Sequence, residues 1–365
     1  MTHRERFLAV LEGKKTDKIP WVPRLDIWYN YHRNRNTLPY GYQGLSLKEI
    51  QHKIKAGKSA RAGKIFTKIL ENVDIKEEVI GSELHRYMVT KVGTVREVLV
   101  KDPDFPESGY IRKEHFIKTL DDYRVMEYIE RYTRYEPDYA AYTAYDEQIG
   151  DEGFPLCIIG DIPMNTIIRD WLGYERGYLE LYDNEDAIAS LNNVMLENMA
   201  DMQKIVLESP ARLFLHGMHF DTQMTPPSFF KKYMIPYFQD FCTKLSYANK
   251  WLAIHQDGDA ALLLDLIQEA RIPVVDCFAT YPMVTCTLRD SIRTWKDSVV
   301  IWGGIPSILL CKATVDDELF ESYLSEFKEL EPEARIIAAV SDNVMPETDI
   351  DRLERVSEMI SSMRA

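Results

Sequence analysis

Short apolar runs alternate with stretches of helical spacing along the second half of the chain. The runs are PLCIIG, RLFLHG, WLAIH, IPVVDCF, VVIWGG and RIIAAV. Most of them lead into segments whose apolar residues recur with the spacing of an amphipathic helix. Strands that alternate with helices pair in parallel through right-handed crossovers. This half of the chain therefore predicts a parallel sheet covered by helices.

The first half predicts a more mixed set of elements. A helix is expected over residues 3–13, a strand at IPWVPRL, a long amphipathic helix over 46–72 and a strand near 77–90. The segment 86–117 alternates between apolar and polar residues and contains turns bounded by Gly and Pro, which indicates an antiparallel β insertion. Two helices rich in Tyr, Arg and Glu are expected before Gly150.

Adding IPWVPRL and the strand near 77–90 to the six runs gives eight strand candidates. This number favours an α/β fold of the (β/α)8 TIM barrel type, with an N-terminal helical and β-rich elaboration. No Gly-rich phosphate fingerprint follows the first strand, which disfavours a dinucleotide-binding sheet. No evident linker interrupts the chain, so residues 1–365 are expected to form a single domain.

The composition narrows the classes of partner. A net charge of −14 and a pI near 5.2 argue against a nucleic-acid-binding protein. The chain has neither a long basic run nor an apolar run near the ~20 residues of a bilayer span, so no membrane association is expected. The five cysteines are scattered and odd in number, which is typical of reduced thiols in a cytoplasmic protein.

Chemically useful side chains accompany three neighbouring apolar runs. His219 follows RLFLHG, His255 ends WLAIH, and Cys277 lies in IPVVDCF. The carboxyl ends of barrel strands meet at one rim, where adjacent strands lie ~4.8 Å apart. Two imidazoles and a thiolate suit Zn²⁺ with an open coordination position. We therefore predict a zinc site held by His219, His255 and Cys277.

Two nearby carboxylates, Asp221 and Asp257, are candidates for catalysis. Either could act as a fourth metal ligand, a partner of a ligand or a general base. A structural interpretation competes, because a lone His is usually hydrogen-bonded within the structure and a Cys on an apolar strand is usually a small hydrophobe. Asp259 is expected to cap a helix over 259–270.

Five further residues are candidates for contact with a substrate at the same rim. They are Arg24, Trp28, Asp161, Tyr281 and Asp342. Core packing is the default alternative for Trp28, which stands among other aromatic residues. The basic cluster at 31–35 could meet a carboxylated substrate, although a solvated loop is the commoner outcome.

The order of these motifs resembles the uroporphyrinogen decarboxylase superfamily. The resemblance rests on RERFLAVLEGKKTDKIPWVPR, HFDTQMTPPSFFKKYMIPYF, HQDGD, IWGGIPSILL and SDNVMPETDIDRL. That superfamily has a (β/α)8 fold and includes porphyrinogen decarboxylases and zinc-binding, cobalamin-linked methyltransferases. In place of the decarboxylase loop Gln-Ala-Gly-Arg, this chain has PRLDIWYN, which retains Arg24. In place of the His-x-Cys and later Cys of the thiol-activating methyltransferases, it has His255, Asp257 and the pair Ser341–Asp342.

These departures make the resemblance strongest to methyltransferases that serve O-demethylation. Such an enzyme moves a methyl group between a small O-methylated substrate and a corrinoid, with Zn²⁺ as a Lewis acid. A separate corrinoid protein is the implied partner, and a homodimer is a further expectation. Two alternatives stay open: a metal-free uroporphyrinogen decarboxylase with Arg24, Arg33 and Arg35 on the substrate carboxylates, and a non-enzymatic tetrapyrrole or corrinoid carrier.

Overall fold

The computed structural model describes residues 1–103, 109–329 and 335–363. Its strands are β1 (Phe66–Leu70), β2 (Asp74–Ile80), β3 (Glu83–Thr90), β4 (Gly93–Lys101), β5 (Tyr110–Glu114), β6 (Thr133–Pro137), β7 (Cys157–Ile158), β8 (Leu213–Met218), β9 (Trp251–His255), β10 (Val274–Phe278), β11 (Val300–Ile305) and β12 (Ile336–Val340). Its helices are α1 (His3–Leu11), α2 (Asp26–Arg35), α3 (Leu47–Lys53), α4 (Leu120–Arg131), α5 (Tyr139–Ile149), α6 (Pro163–Asn165), α7 (Tyr174–Asp183), α8 (Glu185–Glu208), α9 (Pro227–Phe229), α10 (Ile235–Tyr247), α11 (Leu264–Glu269), α12 (Leu288–Trp295), α13 (Asp317–Glu329) and α14 (Ile350–Ser362). Two segments, Thr166–Leu172 and Phe230–Met234, are π-helical.

Two compact units make up the chain that was expected to form one domain. The first unit consists of Met1–Gly63, Ala141–Gly160 and Ala211–Ala365. The second consists of Lys64–Ala140 and Asp161–Pro210. Each unit is described by itself.

A six-stranded parallel sheet, in the order β7-β8-β9-β10-β11-β12, forms the centre of the first unit. Each strand coincides with one of the six apolar runs. The reason is that a parallel sheet is covered on both faces, so its strands are rich in apolar residues throughout. The predicted α/β fold with a parallel sheet is confirmed.

The hydrophobic core of this unit joins α1 to the sheet. Phe7, Val10 and Leu11 pack with buried residues of the strands, including Leu213 in β8. Phe7 also meets Trp302 edge-to-face, with ring centroids 4.8 Å apart. The strands are thus buried along their length by apolar packing, and the polar candidate residues are found at or beyond their carboxyl ends.

The segments expected to supply the first two barrel strands make single bridges only. Trp21 pairs with Ala338 of β12, and Gly63 pairs with Cys157 of β7, both in parallel. The backbone N–H of Gly57 donates to Trp21 O over 2.8 Å. The described residues contain no closed eight-stranded barrel, so the structure bears out the coarser expectation of a parallel α/β sheet.

The second unit is built around antiparallel strands. A four-stranded sheet has the order β2-β3-β4-β5, and β1 pairs with β6. The predicted antiparallel insertion is confirmed, except that residues 104–108 lie outside the described residues. The prediction that a strand near 77–90 belongs to the barrel is wrong, because that segment forms a hairpin of β2 and β3 within this antiparallel sheet.

The long helix predicted over 46–72 is also wrong. α3 starts after Ser46, whose side chain accepts from the backbone N–H of Glu49, and it ends at Lys53. The backbone beyond it is used in pairing with other segments, since Phe66–Leu70 forms β1 against β6. Apolar spacing alone did not reveal this, because strand pairing overrides local helix propensity.

No helix among the described residues is both long enough and apolar enough to cross a bilayer.

Candidate active site

Polar side chains from distant parts of the sequence meet at the carboxyl ends of the parallel strands. His255 ends β9, Cys277 lies near the end of β10, His219 follows β8, and Asp342 follows β12 after one intervening residue. Such ends all lie at one edge of a parallel sheet, where ligands of α/β proteins usually bind. We call these four residues, together with Asp257 and the side chains that contact any of the five, the rim cluster.

Three residues of the rim cluster have left-handed backbone. The φ angle is 58° at His219, 58° at Cys277 and 59° at Asp342. Cys277 also occupies a bulge in the pairing of β10 with β11. Non-glycine residues rarely adopt such angles, and strained backbone concentrates at functional sites. At these three positions the backbone changes direction sharply and re-aims a side chain.

His255 is the centre of the rim cluster. Its side chain is only 9% exposed, with Nδ1 lying 3.2 Å from Asp276 Oδ2. Its Nε2 lies 3.5 Å from Asp257 Oδ2 and 3.7 Å from Asp342 Oδ1. Burial alone would lower the pKa of His255. The Cys277 sulfur, followed by the carboxylates of Asp257 and Asp276, raises that pKa well above its ordinary value.

Asp257 joins the two histidines. Its Oδ2 and Oδ1 lie 3.0 and 3.2 Å from His219 Nδ1, and the rings of His219 and His255 are 5.2 Å apart, nearly perpendicular. Burial alone would raise the pKa of Asp257, but hydrogen bonds from the imidazoles hold it well below its usual range. The cluster therefore presents an ionised carboxylate between two imidazoles.

Arg61 and Asp276 support His255 from inside the protein, and neither was among the site residues predicted from the sequence. Arg61 Nη1 donates to Asp276 Oδ2 over 2.8 Å, and its Nη2 donates to Oδ1. The Asp276 side chain is fully buried, which alone would raise its pKa, but Arg61 and His255 lower that pKa below its usual range. A carboxylate on Nδ1 fixes the tautomer of His255 and turns Nε2 toward Asp257 and Asp342.

A second arginine links two predicted site residues. Arg24 Nη1 donates to Asp342 Oδ1 over 2.9 Å and also lies 3.6 Å from Cys277 Sγ. Arg61 Nη2 approaches the same sulfur at 3.7 Å. The Cys277 sulfur is therefore approached by two guanidinium groups.

The donors fit a metal ion best on the Nε2 side of His255. His219, His255 and Asp257 offer ligand atoms that all lie within 4.8 Å of one another. His255, Asp276 and Cys277 form a second such group, but the Asp276 oxygens are already bonded to Arg61. Two imidazoles and a carboxylate suit Zn²⁺ with an open position. The predicted set of His219, His255 and Cys277 thus falls into two groups that share His255, and metal binding stays a prediction.

Asp221 and Asp259 shape the loops beside the cluster. Asp221 Oδ1 accepts from the backbone N–H groups of Gln223 and Met224, each over 2.7 Å. Asp259 does not cap a helix as predicted, because α11 begins only at Leu264. Its carboxylate instead accepts from three backbone N–H groups, those of Ala261, Thr285 and Cys286, which ties the loop after β9 to the loop after β10.

The other predicted substrate residues have different surroundings. Trp28 is fully buried in α2 and packs on the rings of His32 and Tyr42. Tyr281 is about half exposed and lines a small cavity with Thr287 and Leu288. Their roles stay predictions.

Asp161 belongs to the second unit. It accepts from the backbone N–H of Ile162 and from Asn165 Nδ2, each over 2.7 Å, and pairs with Arg169 at 3.0 Å. Burial raises the pKa of Asp161 to about 6, although Arg169 opposes the shift. Its predicted contact with a substrate stays a prediction.

Comparison with known proteins agrees with the fold. The chain is similar to a methyltransferase from Methanosarcina mazei of known structure, with a TM-score of 0.59 and 12% identity over 99% of this chain and 98% of that one. No curated protein matches the sequence. The profile of the family Uroporphyrinogen decarboxylase (URO-D) matches residues 164–363, more than half of the chain. The chain therefore belongs to the uroporphyrinogen decarboxylase family.

Proposed function

We propose that this protein is a methyltransferase that moves a methyl group between a small O-methylated substrate and a corrinoid carried by a partner protein. The observation that carries the proposal is the rim cluster, where His219, His255 and Asp257 offer a ligand set suited to zinc. The methyltransferase fold shared with the Methanosarcina mazei protein supports the same branch of the family.

A bound Zn²⁺ would supply Lewis acidity toward the oxygen that loses the methyl group. The side chains of the chain have separate tasks around it. His219, His255 and Asp257 would hold the ion, and Asp276 would hold His255 Nδ1 so that Nε2 stays available. Asp342, 3.7 Å from His255 Nε2, is placed to handle a proton or to contact the substrate.

Arg24 and Arg61 each pair with an aspartate of the rim cluster, so neither is left to bind an anionic substrate. Arg24 neutralises Asp342, and Arg61 neutralises Asp276. A porphyrinogen with several carboxylates needs several cations with no other partner. Arg33 and Arg35 lie over the rings of Tyr29 and Tyr31 in or beside α2, as cation–π pairs. The decarboxylase alternative therefore has less support than methyl transfer.

We further propose that the parallel sheet completes a (β/α)8 barrel. The bridges of Trp21 and Gly63 to β12 and β7, and the hydrogen bond from Gly57 N to Trp21 O, support a ring completed by short segments. The corrinoid protein would then dock over the carboxyl ends of the strands, above the rim cluster.

The test is methyl transfer to free cob(I)alamin from a panel of methoxylated small molecules, followed by the loss of Co(I) absorbance. We expect turnover by zinc-loaded protein, no turnover by His255→Ala, and unchanged turnover by His52→Gln. His52 is a matched control because it is exposed and pairs with Glu152. Decarboxylation of uroporphyrinogen, with no Co(I) consumed by any methyl donor, would contradict the proposal.

A further inference from the structure

A small basic cavity lies at the other end of the parallel strands. Its volume is about 220 Å³, and its walls include His3, Arg6, Lys18, Lys55 and Ser361. Trp21 contributes an apolar surface, and no Asp or Glu among the described residues lines the cavity. In a chain with a net charge of −14, four basic side chains around one cavity call for an explanation.

The cavity is separate from the rim cluster. The segment from Lys18 to Arg24 runs beside β12: Ala338 N donates to Pro20 O near its start, and Val344 N donates to Arg24 O at its end. Extended chain rises ~3.3 Å per residue, so Lys18 and Arg24 are separated by about 20 Å. A ligand of the cavity would not touch the rim cluster.

The local charges are only partly balanced. Asp17 accepts from Arg6 over 2.6 and 2.8 Å and pairs with the amino group of Met1 at 3.2 Å. The side chains of Lys18 and Lys55 make neither an ion pair nor a hydrogen bond with any described residue. Two ammonium groups beside the cavity therefore have no counter-charge within the described chain.

The neutral donors are also suited to an oxyanion. Burial, followed by the charge of Arg6, lowers the pKa of His3, so its imidazole is a neutral hydrogen-bonding group near pH 7. The imidazole lies close to Gly57, where a side chain would crowd it, because a Cβ at that position would lie 3.0 Å from His3 Nδ1. Ser361 adds a hydroxyl donor to the wall.

We propose that this cavity binds a phosphate group, either inorganic phosphate or the phosphate of a small monoester. Two unpaired ammonium groups match its charge, and the imidazole and hydroxyl supply directed hydrogen bonds. The cavity is smaller than the ~300–1,000 Å³ typical of sites for drug-sized ligands, which favours a small anion over a nucleotide. The site is independent of the proposed methyl transfer.

The experiment is a calorimetric titration of the full chain with inorganic phosphate and, separately, with phenyl phosphate, at constant ionic strength. We expect saturable binding that weakens at least about ten-fold in the Lys18→Gln/Lys55→Gln variant, the equivalent of one lost charge-assisted contact. The matched control, Lys14→Gln/Lys15→Gln, removes the same charge from exposed positions in the preceding loop and should bind like the wild type.

Each outcome decides a point. Tighter binding of phenyl phosphate supports a phosphorylated metabolite as the ligand, and tighter or equal binding of inorganic phosphate supports the free ion. Absence of saturable binding to either probe, or equal weakening in both double variants, would overturn the proposal. Both variants change exposed lysines only, so retained circular dichroism spectra are expected to show that each is folded.

Discussion

Two networks of charged side chains in this chain both combine acidic residues with arginines, but their side chains pair in different ways. The second unit contains a ladder of alternating acids and arginines that runs Glu77, Arg86, Glu97, Arg112, Asp170, Arg169, Asp161. Each arginine of the ladder lies between two carboxylates, at contacts of 2.7–3.0 Å. The rim cluster also mixes aspartates with arginines, but among the described residues Asp257 pairs only with imidazoles.

The backbone shows the same contrast. Asn72 is the one non-glycine residue with positive φ among the described residues of the second unit, whereas His219, Cys277 and Asp342 all have it at the rim. The ion pairs of the ladder, which join a regular sheet to the π-helical segment Thr166–Leu172, satisfy each other and need no strain. At the rim, side chains gather around His255 Nε2, and several of them have strained backbone. Such an arrangement indicates a site that binds a ligand. Pairing, and not the number of charges, therefore separates the candidate site from a structural network.

The largest effect is expected from Asp276→Ala. The change removes the buried partner of both Arg61 and His255, which leaves an uncompensated buried charge and should cost about 3–5 kcal/mol of unfolding free energy. Urea denaturation measures the loss. A variant within about 1 kcal/mol of wild type, the value of an exposed pair, would show that Asp276 is not needed to support the rim cluster.

The next largest effect is expected in the pH dependence of the free energy of unfolding, to which His216 in β8 contributes. It is fully buried between Gly160 O and Tyr237 Oη, and burial lowers its pKa to about 4. Because the unfolded ring titrates near 6.5, the contribution to stability is complete above pH 6.5 and is lost as pH falls toward 4, about 3 kcal/mol in all. Urea unfolding at pH 7 and pH 4 measures it. His216→Gln should lack that part of the pH dependence, and an identical pH profile would refute the assignment.

A smaller loss of stability is expected from Glu97→Gln in the ladder. Glu97 is buried and pairs with Arg86 and Arg112, but each arginine keeps a second carboxylate, so we expect about 1–3 kcal/mol. The decisive readout is zinc affinity, which should not change. Weakened zinc binding in this variant would erase the distinction between the ladder and the rim cluster.

The smallest effect on stability is expected from Arg24→Gln. The pair of Arg24 with Asp342 is about one-third exposed on each side, so its loss should cost less than about 1 kcal/mol by thermal or urea unfolding. Arg61→Gln is the contrasting variant. We expect it to lose more stability, because it leaves the buried carboxylate of Asp276 without its arginine. Equal losses in the two variants would contradict the difference in burial between the two arginines.

The sequence predicted the strands of the first unit better than the contacts of the rim cluster. Apolar runs identify buried parallel strands because both sheet faces are covered, and the residues after those runs follow directly. The pairing of Asp257 with His219 depends on the left-handed backbone at His219, which no spacing rule indicates. Asp276 did leave a signal, since an acid in the middle of the run VVDCF must be paired if the strand is buried.

Arg61 could not be found in the same way. The sequence places it in the helix predicted over 46–72, where a charged residue is expected to lie on a solvated face. The structure ends that helix at Lys53 and carries the following backbone past the strands. Long-range pairing of this segment, together with the cation–π contact of Arg61 over Trp302 at 4.7 Å, is not encoded in local periodicity.

The most direct test of the central claim is the zinc stoichiometry and affinity of purified wild-type protein beside His219→Ala, His255→Ala and the exposed control His52→Gln. The account predicts one zinc per chain in wild type and control, and a loss of affinity greater than the ~100-fold ascribed to partners of metal ligands in each rim variant. Absence of zinc from the wild type, with none taken up on addition, or equal affinity in all four proteins, would contradict the account.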